Sequence, residues 1–129
     1  MTDIIEFFKH IKTRTSMYIQ PVKYDSVVAL MTGYDLATDD FLLQGFHEWL
    51  VLKLGYRSNF YWGRLILMLA FPETSLEELH GDKLSIEDRE IAIATLFNEL
   101  EEFYLIKKDR NKGLRWIYAQ YEEFVKNDT

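Results

Sequence analysis

Two prolines and six glycines in 129 residues leave this chain with almost no punctuation. A sandwich or barrel needs a tight turn at close intervals, and those turns are built largely from glycine, proline, asparagine and aspartate. Scarcity of that kind predicts helices, and the spacing of the apolar residues agrees. Ile4, Ile5, Phe7, Phe8 and Ile11 form one side of a first helix that starts near Asp3 and ends around residues 13–16. Residues 17–21 read as extended or turn-like, because a residue before proline is pushed out of the helical region. Asp25 or Ser26 is placed to cap a second helix that runs to Ala37. A third covers residues 41–54, with Gly55 positioned to stop it. A fourth covers residues 61–71 and ends at Pro72. It is apolar on all sides, as a helix in the middle of a domain is.

Residues 75–78 give a short helical turn. Ser85-Ile86-Glu87-Asp88 has the pattern of a capping box and opens the longest helix, 86–107. The last helix spans 112–126, with Leu114, Ile117, Tyr118, Tyr121 and Val125 on one face. Only the tracts 17–24 and 55–61 would accommodate a short strand. The expected architecture is an all-α bundle of five to seven helices forming one domain over residues 1–129. Its core is expected around the third and fourth helices, with Phe46 and Trp49 buried.

Composition supports a core without staples: 48% of the residues are hydrophobic and 16% aromatic. The absence of cysteine excludes disulfides, thiolate metal sites, iron–sulfur clusters and cysteine nucleophiles. It also fits a cytoplasmic location. No basic segment followed by an apolar run opens the chain, which predicts no secretory signal. The longest apolar run, residues 65–71, is far short of the ~20 residues of a membrane span.

Candidate catalytic patterns fail on spacing. His47-Glu48 begins like a zinc-protease helix, but Val51 stands where the second histidine must be. His10, His47 and His80 are 37 and 33 residues apart, which is no ligand spacing. Every glycine is isolated, so no loop is expected to cradle a phosphate. No serine sits in a glycine-flanked elbow. These observations predict neither a catalytic residue nor a cofactor or metal, and chelation by EDTA is expected to leave stability unchanged.

Charge is more informative. Residues 1–72 hold seven acids and seven bases; residues 73–129 hold fourteen acids and eight bases, so the entire net charge of −6 arises after residue 72. Such a surface repels nucleic acid and anionic membranes and attracts basic partners. The adjacent pairs Glu77-Glu78, Glu101-Glu102 and Glu122-Glu123, with Asp39-Asp40 as a second patch, are the material for an acidic docking face. Neighbouring helical residues diverge by about 100°, so these pairs do not converge on a reacting atom. The single basic run, residues 107–112, is explained by its place at a helix C-terminus. On the long helix, Ile91, Thr95, Asn98, Glu102 and Leu105 form a second stripe opposite the main apolar face; burial within the bundle is expected for it, with a partner surface as the alternative.

Arg14-Thr15-Ser16-Met17-Tyr18-Ile19 resembles the Arg-Pro-x-Met-Tyr-Ile/Leu-Gly segment of small bacterial immunity-type proteins encoded beside polymorphic or contact-dependent toxins. As in that pattern, an initial helix leads into the motif. A Gly-Tyr step follows, here Gly33-Tyr34, then an aromatic-x-x-Trp helix, here Phe46 to Trp49. A further tryptophan, here Trp62, opens the apolar helix, ahead of a long helix bearing Phe97 and Phe103. Thr15 and Gln20 stand where the pattern has proline and glycine. The resemblance implies a protein that neutralises a cognate toxin, a nuclease being one possibility, by stoichiometric contact without catalysis. The alternative is a regulatory or scaffolding helical subunit that binds another cellular protein. Met17, Tyr18 and Ile19 are expected to pack on the bundle while Arg14 pairs with a carboxylate.

Overall fold

The computed structural model describes residues 4–14, 23–37 and 42–127. Their regular structure is helical throughout: α1 (Ile4–Thr13), α2 (Tyr24–Ala37), α3 (Phe46–Leu54), α4 (Trp62–Ala70), a 3₁₀ turn (Leu76–Glu78), α5 (Ile86–Lys108) and α6 (Gly113–Asn127). The described residues contain no strand, so the tract 55–61 is irregular rather than extended pairing. Of the tract 17–24, only Lys23 and Tyr24 are described, and Tyr24 already belongs to α2.

Helix α5 is the spine. Its 23 residues run about 35 Å at the usual ~1.5 Å rise, long enough for each of the other five helices to pack against it. Ala92, Leu96, Leu100 and Phe103 recur at steps of three and four, which makes one continuous buried ridge with Phe97 beside it. The helix starts as its sequence indicates: Ser85 Oγ accepts the Asp88 N–H at 3.1 Å. Glu87 and Asp88 in the first turn and Lys107 and Lys108 in the last complement the helix dipole.

Two helix starts differ from the sequence expectation. Helix α3 begins at Phe46, not near residue 41, because Gly45 adopts φ 90°, a left-handed conformation that a right-handed helix cannot contain. The turn before it is held by Asp35, whose Oδ1 accepts the Leu43 N–H at 2.8 Å. A side chain at Gly45 would collide with Leu114, so α6 seats against the glycine itself. Helix α2 begins at Tyr24, before either expected cap, and the N–H groups of Ser26 and Val27 donate to the Lys23 carbonyl. That start places the Tyr24 ring inside the bundle, where its hydroxyl donates to the carbonyl of Gly63. The end of α3 is as expected, with Gly55 at φ 83° donating to Val51 O.

The core lies where α3 and α4 meet α5. Phe46 and Trp49 are buried at 0% and 7% exposure, as the sequence predicts. The Phe46 ring lies 5.1 Å from Phe103 and 5.6 Å from Trp62, and Trp49 lies 5.9 Å from Phe103, all tilted. Such pairs add about 0.5–1.5 kcal/mol each beyond the area they bury. Among the described residues no charged side chain is buried, and the buried Tyr24 hydroxyl has its hydrogen bond to Gly63.

Candidate functional site

The excess acidity has a sharper address than the whole C-terminal part. Residues 73–90 hold seven acids against Lys83 and Arg89, a net of −5; residues 91–129 hold seven acids against six bases, a net of −1. All seven acids of the first group (Glu73, Glu77, Glu78, Asp82, Glu87, Asp88 and Glu90) are exposed. None forms an ion pair with a described residue. They lie on the connection from α4, on the 3₁₀ turn and on the first turns of α5.

Two of the acids further on, Glu99 and Glu102, are engaged within the molecule. Lys53 of α3 donates to Glu102 Oε2 at 2.6 Å and to Glu99 Oε2 at 3.0 Å, and its ammonium also lies 4.7 Å over the Trp49 ring. Burial works against the Lys53 charge, but the hydrogen bonds to Glu102 and Glu99 outweigh it and hold the group above the ordinary lysine value. Burial likewise pushes the Glu99 carboxyl up, against the opposing pull of Lys53. Glu101 is half-buried, while Glu122 and Glu123 are exposed on α6. The six acids singled out after residue 72 fall on three elements: the 3₁₀ turn, α5 and α6. Glu77 and Glu78 belong to the unpaired segment, Glu102 is tied to α3, and Asp39 and Asp40 lie outside the described residues. Arg14 is exposed at the end of α1, and the rest of its motif, residues 15–19, lies outside as well.

The stripe on α5 is not buried. Ile91 and Leu105 are 49% and 55% exposed, and Asn98 and Glu102 are exposed between them. Lys12 of α1 donates to Asn98 Oδ1 at 3.3 Å and Lys53 of α3 to Glu102, so only long polar side chains reach this stripe while Ile91 and Leu105 face solvent. The basic run also resolves into internal contacts: Lys107, Lys108 and Lys112 lie 5.0–5.4 Å over the rings of Phe103, Tyr104 and Trp116. Cations held over rings in this way are part of the packing.

The segment between α3 and α4 presents an aromatic surface that no motif in the sequence marks. Tyr56, Phe60 and Tyr61 are 49%, 40% and 56% exposed, and Arg64 stacks 4.7 Å over Phe60. A signal was available, because residues 49–72 contain no acid at all. Beside this region a cleft of about 340 Å³ is lined by Leu54, Met68, Leu69 and Phe71, with Lys53, Thr74 and Leu79 at its edges. Among the described residues no three His, Asp or Glu side chains gather as metal ligands, and no helix is long and apolar enough to cross a membrane. His47 is half-buried on α3, and the His80 ring meets the Glu77 carbonyl at 2.7 Å.

Family models, curated proteins and solved structures offer no match to this chain.

Proposed function

We propose that this protein is a binding module that neutralises a cognate toxin in the cytoplasm by stoichiometric contact, with the 73–90 segment as its docking face. The observation that carries the proposal is the cluster of seven exposed carboxylates within 18 residues, none ion-paired to a described residue. A field of that kind speeds encounter with a cationic partner and selects against an anionic one. A nuclease toxin has a cationic substrate groove, which makes it a fitting target. The order of motifs from Arg14 to Phe103 supports the immunity role. Contact alone neutralises, so no catalytic group or cofactor is required.

The candidate toxin is the protein encoded next to this chain, and the test is binding kinetics at two salt concentrations. A Glu77→Lys, Glu78→Lys variant should associate more slowly and show a weaker salt dependence than the wild type. Unchanged association, with the fold intact, removes the acidic segment from the interface.

A further inference from the structure

One face of the molecule carries both halves of a self-complementary contact. The only charges in residues 49–72 are Lys53, Arg57 and Arg64. Arg57 is exposed beside Tyr56, and Arg64 holds the Phe60 ring at the surface. The acidic segment lies alongside. Arg64 Nη1 donates to the Leu79 carbonyl at 3.4 Å, and Asp25 is the electrostatic neighbour of both Tyr61 and Asp82. Tyr56 from the aromatic loop lines the cleft together with Thr74 and Leu79, which flank Glu77 and Glu78.

We propose that this face pairs with the same face of a second copy of the chain, the Tyr56–Tyr61 loop of each copy lying on the Glu77–Glu78 turn of the other. A two-fold axis turns a patch and its neighbour onto their exchanged partners, so adjacent patches of opposite charge are satisfied twice by one half-turn. Tyrosine and arginine are the residues that carry interface energy when desolvated. The cleft, with Leu54, Met68, Leu69 and Phe71 in its lining, offers each copy a place for an aromatic ring of the other. Its cation, Lys53, is already neutralised by Glu99 and Glu102, so an uncharged ring suits it better than an anion. A toxin bound at Glu77 and Glu78 would displace the second copy.

Sedimentation velocity over a concentration series, at low and high salt, tests this without any toxin, so its outcome is separate from that of the toxin-binding reading. The wild type should show a concentration-dependent dimer that weakens as salt rises. Arg57→Glu, and separately Glu77→Lys with Glu78→Lys, should each weaken the dimer by about ten-fold or more, a change of about 1.4 kcal/mol. Mixing the two variants should restore it, because both contacts across the axis then bring opposite charges together. These residues are exposed, and unchanged circular dichroism confirms that the variants fold. A wild type monomeric at every concentration, a dimer indifferent to both variants, or no recovery on mixing overturns the proposal.

Discussion

Residues 73–90 and residues 91–129 each hold seven acids, yet the first stretch has two bases and the second has six. In the second stretch part of the charge does structural service. Glu99 and Glu102 clamp Lys53, and Lys107, Lys108 and Lys112 cover aromatic rings. In the first stretch the carboxylates stand in solvent without ion pairs to described residues, and Asp82 even raises the Asp25 carboxyl by repulsion, an addition to the effect of burial. The lesson is that a count of acids does not locate a docking face. What locates it is acidity left over after internal pairing.

The largest effect should come from the shared core beneath the clamp. Trp49→Ala removes a ring that touches both Phe103 and Lys53, and should cost about 3–5 kcal/mol in urea unfolding. A loss below about 1 kcal/mol would detach Trp49 from the core and make it a surface anchor. Next in size is Tyr24→Phe, which removes a buried hydrogen bond to Gly63 and should cost roughly 1 kcal/mol at neutral pH.

Tyr24 also contributes to the alkaline limb. Burial holds its hydroxyl well above the ordinary tyrosine value near 10.0. Its contribution is complete below that value and is lost as pH rises toward the folded-state value, because the unfolded chain ionises first. Stability should therefore fall above about pH 10, and the slope should be shallower in Tyr24→Phe. An equal slope in the variant assigns the alkaline loss to other groups.

The comparison itself turns on two charge reversals. Glu102→Lys sets an ammonium beside Lys53 and should destabilise by up to about 1 kcal/mol, as expected for a solvent-exposed pair. Glu77→Lys with Glu78→Lys breaks no ion pair to a described residue and should stay within about 0.5 kcal/mol of wild type while slowing toxin association. If the two reversals cost the same, the two stretches are not different in kind. EDTA sits at the bottom of the scale, with no expected change in Tm.

Much of the architecture was legible because helix periodicity and caps are local. The recurrence of Leu96, Leu100 and Phe103 and the Ser85 cap belong to short stretches of chain. The start of α3 was not legible, because it depends on Asp35 bonding a backbone N–H eight residues away and on Leu114 closing over Gly45. The exposure of the Ile91–Leu105 stripe was not legible for a similar reason. Periodicity shows that a helix has two faces, but only the placement of its neighbours decides which of them is covered.

The sequence by itself determined the helical class, the apolar residues of the core, and the fact that all net charge follows residue 72. Those properties are set by composition and by spacings of three and four residues. Only the tertiary structure decided which carboxylates remain available to a partner. Lys53 reaches Glu99 and Glu102 across 46 and 49 residues of chain, and an ion pair forms only when folding brings the groups within a few ångströms. Charge belongs to a residue, whereas neutralisation belongs to a distance, and that distance is fixed by how α3 lies against α5.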